Sequence, residues 1–162
     1  MNIQKQYWKF LQQLRFSIFY LIIYSDSSYK WDRRINIFTA IASSSSIAAW
    51  VIWDKYALIW SAIIAVAQVI NVIKIYLPFS KRLEMIHPFI FDLQALYSEA
   101  EYKWFKVANG ELAEDEINED LYQLKTKYNG IEQLYTKANV FVDNKKFKAI
   151  ANEQTTEFFK NF

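Results

Sequence analysis

The sequence predicts an all-α integral membrane protein, built as a two-helix transmembrane hairpin joined to a cytoplasmic helical bundle. Three observations predict it. Gly and Pro number only two each in 162 residues, which is too little turn chemistry for a many-stranded β fold. Two long apolar runs nearly adjoin each other near the middle of the first half. Beyond them, apolar residues recur at the helical period.

The first element covers residues 1–34 and is expected to be a cytoplasmic or interfacial helix. IQKQYWKFLQQLRF leads into SIFYLIIY, and the apolar stretch after Arg15 is too short to cross a bilayer. Six Lys and Arg stand against two acids in these residues, so the segment is basic and rich in aromatic rings, a combination that anionic headgroups attract. Nucleic acid is the less favoured partner. Lys5, Lys9 and Arg15 interrupt any signal-peptide core. The following SDSSYKWDRR offers Asp26, Ser27 or Ser28 as turn or N-cap residues before the next helix.

Residues 35–77 are expected to form the transmembrane hairpin. INIFTAIASSSSIAAWVIW, residues 35–53, carries no charge and as a helix reaches about 28 Å, the depth of a bilayer core. Residues 56–77, YALIWSAIIAVAQVINVIKIYL, carry only Lys74, near one end. Asp54 and Lys55 between the runs leave room only for a tight antiparallel turn. Trp50, Trp53, Tyr56 and Trp60 would gather as an aromatic belt at one interface. Lys30, Arg33 and Arg34 on one flank, with Lys81 and Arg82 on the other, place both termini in the cytoplasm of a multi-pass inner-membrane protein. The alternative is a hairpin buried in a helical bundle.

Within these runs Asn36, Thr39, Ser43 and Ser46 follow 3-4-3 spacing and share one helix face, and Gln68 and Asn71, with Ser61, make a narrow strip on the second. Unpaired polar groups are costly away from water, so these edges should meet each other, another subunit or water. They are the candidate pore-lining residues of an oligomer. Side-chain bonding between packed helices accounts for the same pattern, and Ala57, Ser61 and Ala65 would permit close approach.

Residues 78–162 are expected to be a cytoplasmic helical region, with eleven Lys and Arg against fourteen acids. Pro78 and Pro88 mark irregularities. Phe89, Leu93, Leu96, Ala100, Trp104 and Val107 form a stripe that ends at Asn109-Gly110, a C-cap signal. After Glu114, Asp115 and Glu116, which suit a helix start, Ile117, Leu121, Leu124, Tyr128, Ile131, Tyr135 and Ala138 alternate steps of four and three. The two helices should pair antiparallel. A further helix falls between Val140 and Phe162, with Phe158, Phe159 and Phe162 as docking anchors.

Catalysis is disfavoured. There is no Cys and a single His, His87, which leaves no thiolate nucleophile and no metal cluster built on His. Gly110 and Gly130 cannot make a phosphate-cradling loop, and the acids from Glu111 to Asp120 lack the spacing of a calcium loop. No cofactor, no metal and no catalytic residue is assigned, and the chain is read as a non-enzyme.

In the order of its parts the chain resembles the SLATT family, bacterial two-transmembrane effector domains associated with SMODS nucleotidyltransferases and SLOG sensors. The lead helix YWKFLQQLRF, the WDRR before the first apolar run, the SSSS within it and the later EYKWF carry the resemblance. It implies a pore-forming or membrane-disrupting effector of antiviral defence, triggered by a partner protein or a nucleotide signal. The partners expected are the lipid bilayer, further copies of the chain and a defence partner. The competing reading is a membrane anchor or scaffold that recruits a partner through its cytoplasmic helices.

Overall fold

Neither Gly nor Pro occurs between Ile3 and Ile52, so nothing in that stretch forces a helix to stop. In the computed structural model it is one 50-residue helix, α1 (Ile3–Ile52). The expected turn at Asp26, Ser27 and Ser28 is helical instead, and the expected boundary between residues 34 and 35 lies inside this one helix. The structure describes residues 2–52, 57–76, 79–136 and 143–160, and within the helices the side chains outside 43–52, 57, 60, 74–76, 79–82 and 136. The described residues hold four more helices: α2 (Ala57–Tyr76), α3 (Phe79–Ala108), α4 (Glu114–Thr136) and α5 (Lys145–Lys160). Pro88 lies inside α3, where its missing N–H removes one helix bond without ending the helix.

The chain divides into two units, residues 1–25 with 84–162, and residues 26–83. The first is a four-helix bundle of the N-terminal half of α1 with α3, α4 and α5. Its core is Tyr7, Leu11, Leu14 and Ile18 from α1, Leu93, Ala100 and Val107 from α3, and Ile117, Leu121 and Leu124 from α4, each at most 2% exposed. These are the two stripes of the sequence plus one face of the lead helix. The α4 seam is therefore intramolecular core as far as Tyr135; Ala138 lies outside the described residues.

Polar contacts set the register. Lys103 Nζ meets Asp120 Oδ1 at 2.6 Å, Lys127 Nζ meets Glu99 Oε2 at 2.6 Å, and the Tyr135 hydroxyl donates to Asp92 Oδ2 at 2.7 Å. As the α3 number falls the α4 number rises, so the pair is antiparallel. The Tyr7 hydroxyl donates to the Ala100 carbonyl at 3.0 Å, which keeps a core hydroxyl satisfied. Between α3 and α4 the chain turns at Gly110, whose φ of 72° is open to Gly at little cost. Glu111 N donates to Lys106 O and Gly110 N to Val107 O, the paired bonds of a Schellman cap. Glu116 then reaches back to the Ala113 N–H at 2.8 Å to start α4.

α5 docks on α1 through rings. Phe147 meets Tyr24, Phe158 meets Phe19 and Tyr97, and Phe159 meets Trp8. The Arg15 guanidinium lies 4.0 Å from the Phe158 ring centre, 4.8 Å from Phe19 and 5.1 Å from Tyr97. Of the three expected anchors, Phe158 and Phe159 pack on the core, and Phe162 lies outside the described residues.

The membrane-spanning part of the expected fold class is corrected. Among the described residues no helix is long and apolar enough to cross a membrane. Within the run expected to span as residues 35–53, residues 35–52 are the tail of α1, which carries Lys30, Asp32, Arg33 and Arg34 in its preceding turns and Asn36 and Thr39 within the run. Within the run expected as residues 56–77, the structure describes the helix α2 (Ala57–Tyr76), which carries Gln68, Asn71 and Lys74. The multi-pass inner-membrane placement with both termini cytoplasmic falls with the spans it depended on.

Candidate functional site

The polar positions of the second unit are unequally placed. On α1, Ser28 and Thr39 are buried, while Asp32 and Asn36 are half-buried. Steps of four, four and three put all four on one face. Asn36 Nδ2 donates to Asp32 Oδ2 at 2.9 Å, and Thr39 Oγ1 donates to the carbonyls of Ile35 at 2.9 Å and Asn36 at 3.1 Å. Hydroxyl donation to the preceding turn is the usual local outlet for a mid-helix Thr.

The large apolar side chains lie on the other side. On α1, Ile37, Phe38 and Ile41 are 48%, 39% and 58% exposed. On α2, Leu58, Ile59, Val66, Val69, Val72 and Ile73 are all exposed, Leu58 at 85%, whereas Ala67 is buried and Ile63, Ile64, Ile70 and Asn71 are half-buried. Among the described side chains of this unit, large apolar residues are exposed on both helices while Ser28 and Thr39 are buried.

The exposed positions of α2 are ordered. Leu58, Ala65 and Val72 recur at seven residues, as do Ile59, Val66 and Ile73, and Ala62 and Val69 lie between them. A seven-residue apolar repeat on one face of a helix is the pattern that packs against another helix, because at 3.5 residues per turn the seam keeps facing its partner. Ala62 and Ala65 are small enough to let that partner come close. Ser61 and Gln68, also seven apart and exposed, flank the seam.

Of the six expected lining residues, four have described side chains. Asn36 is half-buried and donates to Asp32, Thr39 is buried and donates to the Ile35 carbonyl, Asn71 is half-buried, and Gln68 is exposed. Ser43 and Ser46 fall outside the described side chains, as do the belt residues Trp50, Trp53, Tyr56 and Trp60. Of the three residues expected to allow close approach, Ser61 and Ala65 are exposed and Ala57 lies outside the described side chains. The seam itself was present in the sequence as its seven-residue repeat. It is hidden there because a continuous apolar run reads as uniform until burial divides it into faces.

The bundle offers less. A groove of about 490 Å³ is lined by Asp92, Leu96, Glu99, Lys127, Ile131 and Leu134 among others. Its charged rim is already engaged, Glu99 by Lys127 and Asp92 by the Tyr135 hydroxyl. Among the described residues no group of three His, Asp or Glu side chains is placed to hold a metal ion. No family model, curated protein or solved structure matches the chain.

Proposed function

We propose that the protein is a self-assembling helical scaffold, in which copies associate through the exposed seam of α2 while the four-helix bundle presents its surface to a partner. The observation that carries this is the heptad of exposed apolar residues from Leu58 to Ile73. Left in water it is an aggregation liability; against a second α2 it becomes a dry helix pair. Its six large residues expose on the order of 600 Å² per copy, and Ala62, Ala65, Ser61 and Gln68 bring this near the ~800 Å² that each side of a standard interface contributes.

In bacterial antiviral defence, the setting implied by the resemblance to the SLATT family, this association would be the step that a partner protein or nucleotide signal controls. The resemblance alone supports that setting. The pore is left out of the proposal together with the spans.

The test is sedimentation of the full chain with Val69→Glu and Val72→Glu. Both side chains are more than half exposed, so the helical circular-dichroism spectrum should persist while the wild-type assembly falls to monomer. A monomeric wild type at micromolar concentration, or an unchanged assembly in the variant, would sink the proposal. In bacteria challenged with phage, loss of protection in the same variant would support the defence setting, and undiminished protection would refute it.

A further inference from the structure

Residues 29–34 of α1 have a different chemistry. Tyr29 and Trp31 are 61% and 55% exposed, and Lys30, Arg33 and Arg34 are exposed with them. Arg34 lies over the Trp31 ring at 5.8 Å. The acid among them, Asp32, is half-buried and accepts from Asn36, so the outward strip presents three cations and two rings. Among the described residues the ion pairs fall at Lys103, Lys127 and Lys148.

The start of α4 has the opposite sign. Glu114, Asp115, Glu116 and Glu119 are exposed, and Tyr122, on the same face as Asp115 and Glu119, is 67% exposed. The spacings match. Lys30 and Arg34 are four residues apart, about 6 Å along a helix, as are Asp115 and Glu119. Three residues further on stand Ile37, 48% exposed, and Tyr122.

We propose that the basic strip of α1 docks on the acidic start of α4 in a second copy of the chain, with the helices parallel and Lys30 against Asp115, Arg34 against Glu119 and Ile37 against Tyr122. The proposal rests on self-assembly as its setting and adds a second, head-to-tail contact to it. A seam that pairs α2 with α2 is self-complementary and stops at two copies. Made between successive pairs, a contact between two different surfaces extends them into a closed ring or an open filament. Because that contact is charged and exposed, added salt disperses the larger species while sparing the apolar pair.

The experiment uses two charge-reversed full-length variants, Lys30→Glu with Arg34→Glu, and Asp115→Lys with Glu119→Lys, followed by sedimentation velocity at low salt. Each alone should stop at the pair, with onward association weakened at least about tenfold. An equimolar mixture should regain the larger species, since the reversed strip of one variant then meets the reversed α4 of the other. A mixture that stays at the pair, or either variant assembling as the wild type does, overturns the proposal. So does a strip variant whose only loss is binding to vesicles of anionic lipid, because the occupant is then a lipid surface. Repeating the mixture with Val69→Glu and Val72→Glu in both chains separates the two readings: salt-sensitive association there upholds the strip contact even if the α2 seam fails.

Discussion

Raising the pH above 10 should destabilise the bundle through Tyr7 and Tyr97. Both side chains are buried, with Tyr7 0% and Tyr97 4% exposed. Burial pushes both well above the ordinary tyrosine value near 10, and nearby acids push the same way, Asp120 and Glu99 for Tyr7 and Glu101 for Tyr97. The folded chain therefore keeps both protons at a pH where the unfolded chain has begun to release them. The stability tied to each group is whole below pH 10 and is lost as the pH climbs toward the raised folded value. Between pH 10 and 11 the unfolded state gains about 1 kcal/mol per tyrosine from ionisation, so the pair costs about 2 kcal/mol, a large part of a typical 5–15 kcal/mol. Urea melts at pH 8, 10 and 11 measure it. Tyr7→Phe should lose about 1 kcal/mol at pH 8, from the missing bond to the Ala100 carbonyl, yet show about 1 kcal/mol less loss than the wild type between pH 10 and 11. Other titrating groups cancel in that difference. An alkaline loss in Tyr7→Phe equal to that of the wild type would refute the reasoning.

Two further outcomes test the packing. Leu124→Ala empties a fully buried position between α1, α3 and α4 and should destabilise the bundle by about 2–5 kcal/mol in denaturant melts; a loss below about 1 kcal/mol would mean that the core is looser than its burial implies. Gly110→Ala meets no atom within 4 Å, so its expected cost of about 1 kcal/mol comes from backbone strain at φ +72° alone, and an unchanged or raised melting midpoint would contradict that assignment.

Much of the bundle is legible in the sequence. The α3 stripe and the α4 seam repeat at the helical period because each buries one face, and Asn109-Gly110 marks their junction because a left-handed residue is needed to cap α3. The lead helix is less legible: YWKFLQQLRF contributes Tyr7, Leu11 and Leu14 to the core, but its rings and cations also suit an interface. The second unit is where the reading failed. Hydropathy sums over a window and ignores direction, so it does not show which face of an apolar run is exposed. Asn36 and Thr39 are polar in either case; that Asn36 reaches Asp32 and Thr39 the Ile35 carbonyl is decided by side-chain geometry, which a spacing rule does not contain.

By itself, then, the sequence determines that this chain is helical, where α3 gives way to α4, and which stripes of those two helices are apolar, because helix period and turn chemistry are local properties. Only the tertiary structure decides that α1 runs unbroken through the Asp26–Ser28 stretch, that α5 is held by rings and Arg15, and that the α2 repeat faces outward while Thr39 faces in. Those outcomes depend on which surfaces remain covered once the elements have packed, and burial is a property of the whole arrangement and not of any window of the chain.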